Sequence, residues 1–351
     1  MGKNITIKDV ALRAGVSKGT VDRVVHNRGV VSKDSAEKVR QAIKDLNYEP
    51  NLHAALLATK VDRVIACLIP SDIEGSYWAK VDEGVRAAEE TIRVMNLSAE
   101  VFSYDMNDLR SFRNACARVL ESNPSAVVMA PLFLNESISF VDNLANRGIP
   151  YIYIDTKLEE SRSLAYIGMP KYSSGYLCAA TLTYKCRAEE VDKVAVVRVM
   201  RDKSGQSDPT ASRREGFSDY ISENFPDCEI LNVFINPNSQ EETNNTLDRF
   251  FSEHKGIKFI TMFSSRIHLI SDFLGRYEVE GRRVVGFDSL EANLQMLKEG
   301  KVDILISQHI EDQAINALRM MAEYLILFKR PEKRDNFMHM DILTSLNMGD
   351  Y

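Results

Sequence analysis

From Arg63 onward short apolar runs alternate with amphipathic stretches, and this alternation limits the possible folds more than any other feature of the chain. The runs are Val64–Ile69, Val127–Ala130, Tyr151–Ile154, Val194–Val199, Phe259–Phe263, Val284–Phe287 and Ile304–Ile306. Near-continuous apolar character over three to six residues is what a strand buried on both faces needs, so each run reads as a parallel strand. Between them lie helix-like stretches, including Lys80–Met95, Leu109–Ser122, Tyr172–Tyr184, Ser218–Asn224 and Leu290–Glu299. Repeated β-α units predict an α/β body of open parallel sheets covered by helices.

Such sheets take ligands beyond the carboxyl ends of their strands. The segments to inspect are therefore Ser71–Trp78, Asp155-Thr156, Arg201–Arg214, Ser264–Arg266, Asp288-Ser289 and Gln308. They are rich in carboxylate, amide, guanidinium and aromatic groups. Sugars call for that mixture, with planar donors and acceptors for hydroxyls and aromatic faces for C–H surfaces. Singly, each has a structural alternative: Asp288 as a helix cap, Arg213 as a surface charge.

The first fifty residues have a different character. Thr6 with Asp9 three residues on is a capping-box pattern that opens a helix with Val10, Ala11 and Ala14 on one face. Gly15 supplies a turn. Ser17 caps a second helix with Val21, Val24 and Val25 on one side and Gly19, Asp22, Arg23 and His26 on the other. Ser32 opens a third, with Val39, Ile43 and Leu46 at core spacing. Two short helices, a glycine turn and a buttress helix make an all-α helix-turn-helix head. Such a unit lays its second helix in the major groove of DNA. There Lys18 reaches base edges or phosphate, Gly19 allows close approach, Arg23 suits guanine, and Ser17 and Thr20 meet phosphates. A plain three-helix bundle with solvated charges is the alternative.

Charge agrees with a polyanion partner. Residues 1–60 hold 11 Lys and Arg against 6 Asp and Glu, a balance of +5, which leaves −11 on the rest of a chain of net charge −6. The five cysteines show no C-x-x-C spacing and several sit in apolar runs, so neither disulfides nor a zinc site is expected. The six histidines have no metal-ligand spacing, and no metal or cofactor is expected. Met1–Asn4 leads straight into Ile5-Thr6-Ile7 without a long apolar core, and no run is long enough to span a bilayer, so the expected location is the cytoplasm.

The block Thr6-Ile7-Lys8-Asp9-Val10-Ala11-Leu12-Arg13-Ala14-Gly15-Val16-Ser17, followed by Gly19-Thr20-Val21-Asp22-Arg23-Val24-Val25-His26-Asn27, resembles the LacI/GalR family signature. The match continues through Val31-Ser32, Val39, Ile43 and Leu46-Asn47-Tyr48-Glu49-Pro50-Asn51. It implies that Thr6, Ser17, Lys18, Gly19, Thr20, Asp22, Arg23 and Asn27 face DNA. Asp22 departs from the family's usual Ser; a carboxylate there is repelled by phosphate but can accept from a cytosine amine. After Pro50, Asn51–Ala58 corresponds to the family's hinge helix, with Leu57 at the position of the leucine wedged into the minor groove and Ala54 the small residue beside it. Packing of Leu56 and Leu57 on the body is the alternative.

Over the body the resemblance is looser and implies a two-lobed periplasmic-binding-protein-like fold with a ligand cleft. Tyr77 and Trp78 stand at its aromatic pair, Asp155 at the aspartate closing the fourth strand, and Arg213 in the arginine motif with Gly216-Phe217. Asp288 matches the sugar-binding aspartate and Gln308 the glutamine of the last crossover. Where relatives carry Asn-Asp, this chain has Ser265-Arg266-Ile267, and Met-Pro-Lys follows Gly168 in place of a polar pair. Arg266 as a second cleft arginine favours an anionic ligand, a sugar acid or phosphosugar, over a neutral sugar.

The expected division is a DNA-binding head at 1–50, a hinge at 51–60 and an effector and dimerisation body at 61–351. Its first lobe is expected at about 61–160 plus 293–325 and its second at about 161–292 plus 326–351. The function this implies is a sequence-specific transcription regulator, a repressor, on double-stranded operator DNA. It would act as a homodimer, with a tetramer as the alternative, under a small carbohydrate-like effector. The rivals are a solute-binding receptor and an α/β enzyme, and no G-x-S-x-G, P-loop, G-x-G-x-x-G or H-E-x-x-H motif supports catalysis.

Overall fold

The computed structural model describes residues 5–25, 31–46, 48, 63–71, 73–200 and 208–350. Asn27 and the hinge positions Asn51, Ala54 and Leu57 lie outside the described residues, as do residues 201–207 of the third strand-end segment.

In the head, helices α1 (Ile7–Ala14), α2 (Lys18–Val25) and α3 (Lys33–Asp45) enclose Val10, Val21 and Val39, all fully buried, with Ala11, Ala14, Ala42 and Tyr48 around them. Burying a valine stabilises by about 1.5–3 kcal/mol, so these three carry much of a small core. The capping box forms, with the Thr6 amide donating to Asp9 Oδ2 at 2.8 Å. Gly15 ends α1 at φ 65°, a left-handed conformation that costs a glycine nothing. Ser32 caps α3 by accepting from the Ser35 amide at 3.2 Å, and Arg13 ties α1 to α3 through Asp45 at 2.6 Å.

The body holds two six-stranded sheets. The first comprises β1 (Arg63–Pro70), β2 (Leu97–Tyr104), β3 (Ala126–Met129), β4 (Tyr151–Ile154), β5 (Ala165–Gly168) and β11 (Asp335–Phe337), in the order β11-β5-β4-β3-β1-β2. The second comprises β6 (Lys193–Val199), β7 (Glu229–Ile235), β8 (Phe259–Met262), β9 (Arg283–Phe287), β10 (Ile304–Ser307) and β12 (Asp341–Leu343), in the order β12-β10-β9-β8-β6-β7. All pairings are parallel except β10 with β12. The two sheets thus share one strand order, although no internal repeat stands out in the sequence.

Helices α4 (Tyr77–Arg93), α5 (Leu109–Ser122) and α6 (Leu134–Asn146) belong to the first lobe. The second lobe has α8 (Ala211–Asn224), α9 (Gln240–Glu253), α10 (Ser271–Arg276) and α11 (Glu291–Lys298). The helix after each fifth strand changes sides. Following β5, α7 (Lys171–Leu182) buries Cys178, Ala179 and Leu182 against the second sheet; following β10, α12 (Ile310–Leu327) buries Ile310, Ala314, Leu318 and Met321 in the first core. The chain therefore crosses between lobes at 168–171, 307–310 and 337–341. His309 Nε2 lies 2.6 Å from Asp341 Oδ2 and ties the second crossing to the third.

This corrects the expected lobe boundaries. Residues 291–307 sit in the second lobe, whereas 165–168, 310–327 and 335–337 sit in the first. An apolar run does not reveal which sheet it joins. β10 pairs with β9 inside the second sheet, so the crossing follows it rather than preceding α11.

Candidate functional site

The two lobes enclose a cavity of about 560 Å³ at the carboxyl ends of the strands. Tyr77, Trp78, Asp155, Arg213, Arg266, Asp288 and Gln308, the seven residues expected from sequence, all line it.

The two aspartates hold equivalent positions. Asp155 follows β4 and gives its amide to Ile167 on β5 at 3.1 Å; Asp288 follows β9 and gives its amide to Ile306 on β10 at 3.0 Å. Both have left-handed backbones, φ 58° and 70°. Asp is among the few residues besides glycine that tolerate this conformation, and the turn swings the side chain into the cleft instead of onward along the strand. The aspartates differ in how readily they ionise. Burial pushes the Asp155 carboxyl up, but the Lys171 ammonium at 2.8 Å, with Arg213 beyond it, more than reverses this and holds it below the usual range. Among the described residues Asp288 has no ion pair; burial, aided by Asp155, pushes its carboxyl up to about 6 despite Arg213 and a 2.8 Å hydrogen bond from Gln308 Nε2.

Arg213, in the first turn of α8, is only 4% exposed. Its Nε donates to Ser174 Oγ at 2.9 Å, one terminal nitrogen donates to the Phe263 carbonyl and the other lies 3.1 Å from Met169 S. The guanidinium stacks on Phe287 with Cζ 4.0 Å from the ring centre. A fork held at three points keeps its remaining donors aimed without further loss of side-chain freedom. The surface-charge alternative for Arg213 thus fails.

Tyr77 and Trp78 open α4 behind the cap Ser76, whose Oγ accepts from the Ala79 amide at 3.3 Å. Their rings meet edge to face, 5.1 Å apart. Arg266 extends from the second lobe to within 3.4 Å of Met106 S on the first. His268 also lines the cavity, and burial lowers its pKa.

Of the lining residues, Asp105, Asn107, Asn238, His268 and Lys171 are not among those expected from the sequence, and neither is Gln313 behind them. Lys171 lies in the Met-Pro-Lys departure, and the strand whose end it follows, β5, is not among the apolar runs named above. Gln313 is fully buried on α12 and bonded to Tyr77 and Gln308, and no spacing or motif in the sequence singles it out.

Asp288 sets a pH dependence. Its folded pKa of about 6 exceeds the usual 3.8, so the protonated form favours the fold. That contribution is complete below about pH 4 and lost as pH rises through about 6, so ionised Asp288 costs up to about 3 kcal/mol. Asp288→Asn is expected to raise ligand-free stability at pH 7.5 by up to that amount (about 3 kcal/mol) and to flatten the slope between about pH 4 and 6.5 in urea unfolding. Parallel slopes for both proteins would contradict this origin.

On the head, Gly19 and Arg23 are exposed on the side of α2 away from buried Val21, Lys18 is exposed in its first turn and Ser17 just before it, and Thr6 is exposed at the start of α1. The Ser17 hydroxyl caps α2, accepting from the Thr20 amide at 3.1 Å and lying 2.9 Å from Thr20 Oγ1. Asp22 is half-buried, and its charge adds to the burial that raises the Tyr48 hydroxyl.

Among the described residues no cluster of three metal-ligand side chains occurs, and no helix is long and apolar enough to cross a membrane.

Residues 65–329 match the periplasmic binding protein domain family, and residues 6–51 match the bacterial regulatory proteins of the lacI family. The HTH-type transcriptional regulator MalR of Streptococcus pneumoniae is 45% identical over 73 residues, which is 21% of this chain and 22% of that protein. That alignment thus spans about a fifth of the relative. The ribose operon repressor of Halalkalibacterium halodurans is 25% identical over 296 residues, covering 81% of this chain and 80% of the repressor. A Bacteroides fragilis crystal structure described as a LacI transcriptional regulator superposes with TM-score 0.77 at 33% identity, covering 83% of this chain and all of that one.

Proposed function

Because the chain belongs to the lacI family of bacterial regulatory proteins, we propose that it is a cytoplasmic transcriptional repressor whose hold on operator DNA is set by a carbohydrate effector in the interlobe cleft. The observation that carries this reading is the pairing on one chain of a helix-turn-helix head, with Ser17, Lys18, Gly19 and Arg23 exposed, and a cleft built around two equivalent aspartates and a clamped arginine. The head gives the DNA function and the cleft gives the control.

Two copies would present two heads to a pseudo-palindromic operator, matching protein symmetry to half-site symmetry. The effector contacts residues of both lobes, so it favours one lobe arrangement by the difference in its affinity for the two. Three crossings carry that arrangement toward the segment joining body and head. Charge-assisted bonds from Lys171, Arg213 and Arg266 extend the effector class from neutral sugars to sugar acids and phosphosugars.

Fluorescence anisotropy on duplexes selected from genomic fragments, with and without monosaccharides, tests the reading. Duplex-independent binding, or binding that no sugar changes, would sink it. Within the same assay Arg23→Ala is expected to cost about 1–3 kcal/mol and relax preference at one base pair. Lys18→Ala should instead weaken every duplex alike and lower the salt slope by about 1.

A further inference from the structure

A chain of hydrogen bonds joins the two cleft aspartates through residues that cross between lobes. It runs from Asp288 Oδ1 to Gln308 Nε2 at 2.8 Å, from Gln308 Oε1 to Gln313 Nε2 at 3.4 Å, and from Gln313 Nε2 to the Tyr77 hydroxyl at 3.2 Å. The Tyr77 hydroxyl then reaches Asp155 Oδ1 at 3.2 Å, where Lys171 Nζ arrives at 2.8 Å. Gln313 sits at the centre, fully buried and outside the cavity lining.

The direction of each bond follows from proton counting. Tyr77 has one hydroxyl proton. Asp155, paired with Lys171, only accepts, so the Tyr77 proton goes there and Tyr77 must accept from Gln313. The same Gln313 nitrogen faces Gln308 Oε1, so Gln308 spends its carbonyl on Gln313 and turns its NH2 to Asp288. Gln313 therefore donates to both neighbours, and the donors of Gln308 and Tyr77 each turn away from it toward a carboxylate.

We propose that Gln313 is a positioning residue that fixes how Gln308 and Tyr77 present their hydrogens, and thereby which hydroxyls of a bound sugar the cleft reads as donors. This rests on the reading that the cleft binds a sugar. With the amide of Gln308 held one way round, the sugar must bring an acceptor to Gln308 and donors to Asp155 and Asp288. A site built for hydrogen-bond donors rejects an analogue that lacks one far more strongly than an apolar pocket rejects a shape change.

The test uses calorimetry on the full chain with D-ribose, D-xylose, D-glucose and D-galactose. The aldose that binds best is then compared with its singly fluorinated deoxy analogues, since fluorine cannot donate. In the unaltered protein, fluorination at a hydroxyl facing either aspartate is expected to weaken binding by about 30-fold or more. In Gln313→Leu, Gln308 is free to turn over, and that penalty should fall below about fivefold at one position or more. In Gln313→Glu, Gln308 and Tyr77 both turn their donors to the new carboxylate and starve the aspartates, so affinity for the parent aldose should fall more than about tenfold. Melting temperatures of the ligand-free proteins separate positioning from packing, because packing loss moves stability without changing the fluorination profile. Should the leucine variant fail to fold, the near-isosteric glutamate variant carries the test. Profiles and affinities that stay within about twofold in both variants overturn the role of Gln313 and leave the sugar reading standing. An unaltered protein that binds none of the four aldoses counts against the sugar reading and removes the proposal with it.

Discussion

Arg213→Met is expected to weaken effector binding by about 100-fold or more, while operator binding persists and no longer responds to the effector. The guanidinium is buried, stacked on Phe287 and held by Ser174, Phe263 and Met169, with its remaining donors directed at the cleft. Hydrogen bonds from a charged donor are each worth about 1.5–3 kcal/mol, so losing two reaches two orders of magnitude in affinity. Methionine keeps much of the apolar contact with Phe287 and none of the charge. Its loss also removes the cation that restrains the Asp288 carboxyl. Calorimetry with the preferred sugar, beside anisotropy with operator DNA, measures both effects. Sugar affinity within about threefold of the starting protein would mean that Arg213 only braces α7 against α8.

The second large effect is structural. Gly175 on α7 faces α8 so closely that an added Cβ would meet the Arg213 carbonyl oxygen at 1.7 Å, and a Cβ on Gly216 would meet the Tyr172 carbonyl oxygen at 2.1 Å. Backbone cannot move aside as a flexible side chain can. Gly175→Val should therefore force the helices apart and cost about 3 kcal/mol or more, near the upper end for overpacking. In a body of this size that corresponds to a fall in melting temperature of about 10 °C. Gly84→Val should act alike in the first lobe, where its Cβ would stand 2.2 Å from the Glu311 carbonyl oxygen on the incoming helix. Differential scanning calorimetry decides it: a fall under about 2 °C would show that the helices separate freely.

How far the sequence revealed these features depended on burial. Central strands such as Tyr151–Ile154 and Phe259–Met262 are covered on both faces, and their apolar runs announced them. The rim strands β2 and β7 are half exposed, so Leu97–Tyr104 and Glu229–Ile235 mix polar with apolar residues and passed unnoticed. β11 and β12 have three residues each and open on Asp335 and Asp341, so no apolar run marks them. All seven cleft residues were legible because strand ends are where such sheets place ligands, and the family resemblance named the positions. Lys171 and Gln313 were not, because each acts through a helix that changes lobes, and lobe membership is a property of pairing rather than of composition. Asp155 and Asp288 were expected as ligand contacts, but their opposite pKa directions depend on which one receives the lysine, and the sequence alone does not state that.

The route of the chain also bears on how the protein is made. The head has its own core within residues 5–48 and can close as soon as it leaves the ribosome. Neither sheet of the body is complete until β11 and β12 at 335–343 have emerged, since each contributes an edge strand to a different lobe. At about 5–20 residues per second, the nearly 300 intervening residues take roughly 15–60 s to synthesise. During that interval a nascent chain carries a finished groove-reading module and an unfinished sensor, so early termination would yield fragments able to touch DNA but unable to hear the metabolite.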